Sequence, residues 1–252
     1  MPGPPATVPG PSRGLLLALA LVALAAAPAA ARSALVAELD AVAVSYHQDL
    51  PRLDRLRQGL ERAAAEGGDA ETLIALARVC FIWGDVRAQS AGEKLAAYDQ
   101  GRQAARRAVA LAPRNPAAHF WFATNTGRWG QTKGVVRSLF LLPDLKRGID
   151  TVLELDPGYT PVYALLGNVY YEVPALLGGD LEKAEWAFRK GLALDARFTG
   201  MRVGLGKTLI RLGRAAEARR ELEAVLAERN PTNPADWAVK DAPEARRLLG
   251  SI

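Results

Sequence analysis

Few residues in this chain are equipped for chemistry. The single cysteine, Cys80, lies in LARVCFIW, and the two histidines, His47 and His119, are far from it along the sequence. A nucleophilic thiol needs a base beside it, and a tetrahedral zinc site needs four nitrogen or sulfur ligands. One cysteine and two histidines are too few for the metal, and no motif pairs them for the nucleophile. Cys80 therefore reads as a buried, inert thiol on an apolar helix, and His119 as a helix-packing residue. Residues 200–208, GMRVGLGKT, look like the end of a phosphate-binding loop. In such a loop the first glycine stands five residues before the second; five residues before Gly206 the sequence has Met201, and no strand precedes it. Asp180, Glu182 and Glu185 read as a capped helix start, with no apolar setting that would raise one carboxyl for acid–base work. The expectation is a protein with no catalytic residue, no metal and no cofactor.

Recognition residues remain, and they need a scaffold. The chain has 252 residues, 50% apolar and 23% charged, with a formal net charge of +5. That composition excludes a wholly disordered chain and allows one sizeable domain or two small ones. No basic run exceeds two residues, and Arg106-Arg107, Arg219-Arg220 and Arg246-Arg247 sit in helical segments rich in alanine, leucine or glutamate. A nucleic-acid binder gathers its cations on one stripe, so nucleic acid is not expected as a partner. At the N-terminal end, Arg13 precedes the uncharged run Gly14 to Ala27, followed by Pro28 and Ala29-Ala30-Ala31. This is the anatomy of a secretory signal, so residues 1–31 are expected to be a signal peptide cut after Ala31, giving an exported, periplasmic product. The apolar run is shorter than the roughly 20 residues of a bilayer span, and no cysteine near the cut offers a site for lipid attachment.

Downstream, one kind of helix end recurs: AVALAPRNP at 108–116, TVLELDPGY at 151–159, GLALDARFT at 191–199 and AVLAERNPT at 224–232. The unit resembles the tetratricopeptide repeat, two antiparallel helices in thirty-four residues. In the last repeat Leu205, Gly206 and Leu209 stand at repeat positions 7, 8 and 11, and Ala218, Leu222 and Val225 at 20, 24 and 27. Small residues at 8, 20 and 27 let paired helices approach, and larger ones fill the layer between neighbours. The preceding repeats place Leu166-Gly167, Phe122-Ala123 and Ala77-Arg78 at positions 7 and 8. The fold class expected is all-α, a tetratricopeptide-like helical-hairpin solenoid of four to five repeats, with residues 32–68 as a degenerate leading repeat and 69–252 as the repeat domain. From position 8 to position 20 the chain runs 78 to 101, 123 to 145 and 167 to 184, all longer than 206 to 218. These insertions are expected to project as loops from one edge.

More specific features follow: the Trp121, Ala123, Asn125, Gly127, Trp129 series, the insertion from Lys133-Gly134 to Leu142, the turn Leu177-Gly178-Gly179-Asp180, and the terminal Glu244 to Leu249. Together they resemble the TatT family, exported tetratricopeptide-like proteins associated with tripartite ATP-independent periplasmic (TRAP) transporters. The resemblance implies docking with a periplasmic solute-binding protein, a groove or pore for a small apolar ligand, and self-association as a trimer. The same residues also fit a general cell-envelope scaffold for protein–protein interaction with no transporter role.

In a solenoid of this kind the first helix of each repeat lines the concave face. Positions near 5, 9, 12 and 13, together with the aromatic series, give the candidate ligand- or partner-binding residues Trp83, Phe120, Trp121, Thr124, Arg128, Asn168, Tyr171, Lys207 and Arg211. Aromatic rings supply contact area and the cations fix orientation. That mixture suits an apolar ligand with an anionic end, or a segment of a partner protein.

Overall fold

A computed structural model describes Gly3 and residues 34–252; the expected signal peptide lies outside these residues. Among the described residues every regular element is helical. A leading helix α1 covers 34–43. It is followed by α2 (Leu50–Ala65), α3 (Ala70–Val86), α4 (Ala91–Leu111), α5 (Pro116–Lys133) and α6 (Val135–Leu155). Then come α7 (Thr160–Glu172), α8 (Leu181–Leu194), α9 (Thr199–Arg211), α10 (Ala215–Ala227), and a terminal segment of α11 (Pro234–Asp236), a π turn (Trp237–Asp241) and α12 (Ala242–Leu249). Consecutive helices pair as antiparallel hairpins that stack into the expected solenoid.

Local sequence sets the helix starts. Asp49, Asp69 and Asp180 each accept a backbone N–H three residues on, at 3.0, 2.8 and 2.9 Å. Ser90 and Glu93 form a reciprocal capping box, and Asn115 caps α5 just ahead of Pro116. Each such cap satisfies donors that the first helical turn leaves orphaned. The recurring helix ends also fall where expected: α4, α6, α8 and α10 stop at Leu111, Leu155, Leu194 and Ala227. Asp156 and Asp195 then turn the chain by accepting from the N–H two residues on.

The repeat register accounts for the packing. Leu205, Leu209, Ala218, Leu222 and Val225 are all fully buried. At Gly206 an added Cβ would stand 2.7 Å from a Leu222 methyl, and at Gly167 it would stand 2.6 Å from the Phe188 ring. Only a residue with no side chain lets those helices approach so closely.

Two expectations need correction. The insertions do not form projecting loops, because most of their residues lengthen the helices: α3, α4, α5 and α6 run to 17, 21, 18 and 21 residues, against 13 each in α9 and α10. The link between α5 and α6 is Gly134 alone, whose φ of 106° suits glycine. Only between α7 and α8 does the extra length form a connection of its own, with a short 3₁₀ turn at Ala175–Leu177. The register of the first full repeat also moves by one residue. Ala77 is fully buried and its carbonyl accepts from Asn125 Nδ2, whereas Arg78 faces the concave side and pairs there with Asp40 of α1 at 2.7 Å. Ala77 is therefore the small residue at position 8.

The two ends of the array meet. The backbone N–H of Ala235 donates to the carbonyl of Val44 at 3.1 Å, and Ala235 is buried in the same core as Leu39 and Tyr46. The Tyr46 hydroxyl donates to Asp236 Oδ1 at 2.7 Å, and Lys240 Nζ lies 3.2 Å from Asp85 on α3. The terminal segment thus crosses from the last hairpin back to the first, and the concave face becomes the wall of a deep, half-open chamber.

Candidate functional site: a chamber on the concave face

The chamber has a volume of about 1180 Å³ and is open on one side. Its walls are the inner faces of α1, α3, α5, α7 and α9, with the start of α6 and the terminal segment closing it. With position 8 at Ala77, the inward positions of α3 become Ile74, Arg78, Phe81 and Ile82, and all four line the chamber. The one-residue shift matters because each residue turns about 100° around a helix.

Of the residues expected on this face, Phe120, Trp121, Thr124, Arg128, Asn168, Tyr171 and Lys207 line the chamber. Trp83 does not. Its indole N–H donates to Asp54 Oδ1 at 2.6 Å and the Arg57 guanidinium stacks 4.4 Å from its ring, so it faces α2. The register slip explains the misplacement. Arg211 also lies outside the lining and acts as a brace, its Nη1 donating to the Tyr171 carbonyl at 2.7 Å and its guanidinium 4.7 Å from the Tyr171 ring. Trp121 joins two walls, with its ring centroid 5.6 Å from Phe81 and 4.9 Å from Phe120.

Polar residues of the terminal segment, Asp236, Lys240, Asp241 and Glu244, also reach the chamber. Nothing in the repeat pattern could announce them, because they follow the last repeat. Their partners form one network. The Asp85 side chain, only 4% exposed, accepts from Arg128 at 2.6 Å and from the Tyr98 hydroxyl at 2.7 Å, and pairs with Lys240. Burial pushes the Asp85 carboxyl up, but Arg128 and Lys240 outweigh burial and hold it below the usual range. Lys240 also lies 2.9 Å from Asp236. Asp241 is different: burial pushes its carboxyl up to about 6, against the hydrogen bond it accepts from Thr199 at 2.7 Å.

This geometry revises the expected role of the cations. Arg128 is held by Asp85, Arg78 by Asp40, and Lys207 by Glu244 at 3.0 Å. Around the chamber Asp40, Glu71, Glu172, Asp236, Asp241 and Glu244 outnumber Arg78, Arg128, Lys207 and Lys240. An anionic ligand end would have to displace carboxylates that are already in place. The Thr124 hydroxyl, by contrast, is buried in the lining without a hydrogen-bond partner.

No constellation for catalysis appears among the described residues. No group of three or more histidine, cysteine or acidic side chains could hold a metal ion. Cys80 is buried against Gln100, and burial pushes its thiol up to about 12. His119 Nε2 is 2.8 Å from the Pro113 carbonyl, where it fixes a turn. No described helix is long and apolar enough to cross a membrane.

Comparisons with known proteins test the family. The model of regulator of microtubule dynamics protein 1-3 matches residues 35–177, and a tetratricopeptide repeat model matches residues 175–242. The chain is 27% identical over 228 residues to regulator of microtubule dynamics protein 3 of Rattus norvegicus, covering 80% of this chain and 48% of the relative. Against the Bos taurus protein of the same name it is 26% identical, with the same coverage. The chain thus spans about half the length of these relatives. A tetratricopeptide protein of Thermus thermophilus superposes with a TM-score of 0.62 at 22% identity, covering 86% of this chain and 98% of that one, a likeness in fold alone.

These matches overturn the resemblance to TatT. The features that carried it have structural causes: Asn125 ties α5 to α3 through the Ala77 carbonyl, Gly134 makes the one-residue turn, and Gly179 packs against the Val173 backbone. Such residues answer to long stacked hairpins and say nothing of a transporter, so the expected solute-binding protein and trimer lose their support. With its family model matched across residues 35–177, the chain belongs to the regulator of microtubule dynamics protein 1-3 family.

Proposed function

We propose that this tetratricopeptide array is a non-catalytic scaffold for protein–protein interaction whose concave chamber holds an apolar segment of a partner protein. The observation that carries the reading is the concave apolar and aromatic wall of Phe81, Phe120, Trp121, Leu142 and Leu145. Its four cations, Arg78, Arg128, Lys207 and Lys240, are already paired with carboxylates, so recognition there falls to apolar contact and to the free hydroxyl of Thr124. Any polar anchor on the partner would be neutral or basic, given the excess of carboxylates in the lining. The name of the relatives makes polymerised tubulin one partner to test.

A second reading has a specific observation behind it. A volume of about 1180 Å³ is close to that of pockets that enclose small molecules, roughly 300–1,000 Å³, so a small apolar ligand could occupy the same wall. A photo-reactive amino acid at Phe120, activated in cells and followed by mass spectrometry, separates the two. A crosslinked peptide supports the scaffold reading, a small added mass supports the ligand, and loss of either in Thr124→Trp locates it in the chamber. We also propose that residues 1–31 act as an export signal, a reading that rests on the sequence of that segment. N-terminal sequencing of the mature protein tests it, with Arg32 expected as the first residue.

A further inference from the structure

Outside the chamber, the least expected surface is at its rim, where large apolar side chains stand in the open. On α6, Val136 and Phe140 are 70% and 75% exposed, one turn apart on the same face. On the 3₁₀ turn after α7, Leu176 is 99% exposed and Leu177 46%. The two segments border the same opening, since Leu139 and Leu142 on one and Val173 and Pro174 on the other line the chamber. They are also close together: Lys146 Nζ of α6 lies 3.4 Å from where a side chain at Gly178 would begin.

Cations surround these tips. Lys133 and Arg137 lie 5.6 and 5.8 Å from the Trp129 ring, and Lys146 and Arg147 are exposed about two turns beyond Phe140 along α6. The exposed acids nearby are Asp144, 3.5 Å from Arg147, Asp150 one turn beyond Lys146, and Glu172 at the end of α7, so the cations Lys133, Arg137, Lys146 and Arg147 outnumber them by one. Exposed apolar tips with cations along the same helix have the composition of an interfacial membrane contact. The apolar side chains enter the headgroup layer, and the nearby basic residues are drawn to an anionic surface. Tips that protrude suit a deformable surface better than a folded partner, which would need a matching pocket for each.

We propose that the rim formed by residues 136–147 and 174–178 docks on the surface of an anionic bilayer, with Phe140 and Leu176 as the inserted side chains. The test uses the full chain with vesicles of phosphatidylcholine alone or with phosphatidylserine added. Hydrogen exchange should slow at 136–142 and 174–178 only when phosphatidylserine is present. Phe140→Ser with Leu176→Ser should weaken the phosphatidylserine-dependent binding by about tenfold and leave the melting temperature unchanged, since both side chains are exposed. The paired comparison cancels any binding by the apolar segment at residues 14–27. Equal binding by the double variant, or slowed exchange elsewhere with none at the rim, would overturn the proposal. So would a change in the sedimentation of the double variant without vesicles, which would assign the rim to a second copy of the chain.

Discussion

The hydroxyl of Tyr46 donates a 2.7 Å hydrogen bond to the carboxylate of Asp236, joining residues 190 positions apart. Burial first, and the neighbouring carboxylates after it, push the phenol far above its ordinary value, so it remains a donor at any physiological pH. Tyr46→Phe keeps the ring in the core and removes the bond. The expected cost is about 1 to 2 kcal/mol, with hydrogen exchange quickening in residues 233–241 and little change in α5 to α8. Uniform quickening along the chain would mean the bond supports the whole array rather than its closure.

A larger effect is expected at Asp85, whose carboxylate serves Arg128, Lys240 and Tyr98 together. Asp85→Asn leaves Arg128 without a carboxylate and Lys240 with Asp236 alone. Removing one member of a buried pair costs about 3–5 kcal/mol; here Arg128 keeps 43% of its side-chain exposure, so the expected loss is nearer to about 2 kcal/mol. Denaturant unfolding measures it. Adding Lys240→Met should recover part of the loss, because the like charge beside Arg128 is then gone.

How much of this was legible beforehand differs by level. The hairpin solenoid could be read because small and large apolar residues recur where helices must touch, as with Gly206 against Leu222. The helix ends could be read because Asp156 and Asp195 turn the chain through their own side chains. The inward face could be read on α5 and α7 but failed on α3, where Ala77 and Arg78 competed for one register position and only tertiary packing decided between them. Ring closure was beyond the pattern altogether. It depends on the accumulated curvature of all the hairpins, and no local spacing pairs Val44 with Ala235.

The small residues at position 8 give a third prediction. Gly206→Ala would gain about 1 kcal/mol of helix propensity on an open helix. Here the new methyl would begin 2.7 Å from Leu222 Cδ2, and overpacking of that kind costs about 1–3 kcal/mol. A net loss of stability is expected by thermal unfolding, and Gly206→Ala combined with Leu222→Val should recover some of it. A gain from the single change would place the register elsewhere.

Acidity supplies a fourth. Burial raises the Asp241 carboxyl from an ordinary 3.8 to about 6. The folded state therefore holds that proton more tightly than the unfolded state, and between these values stability falls as pH rises. Its contribution is full below about pH 4 and lost as pH passes through about 6. Asp241→Asn removes the carboxyl's titration and should flatten that decline, worth up to about 3 kcal/mol. Asp85 has the opposite sign: its contribution is present above the ordinary carboxylate value and is lost as pH falls through its lowered one. Urea unfolding of both variants from about pH 2 to 7 separates the two, the Asp85 effect appearing below about pH 4 and the Asp241 effect above it.

The backbone bond between Val44 and Ala235 has a consequence for how such a chain evolves. A linear stack of hairpins gains or loses units at little cost, because each touches only its neighbours. A stack whose last segment sits on its first has a fixed circumference. Inserting or deleting one hairpin would carry Ala235, Asp236 and Lys240 away from Val44, Tyr46 and Asp85 together, so variation is confined to helix length and to the rim. The same circuit joins the most distant parts of the chain, which raises contact order and slows folding, and makes the closing segment the last part to gain native contacts.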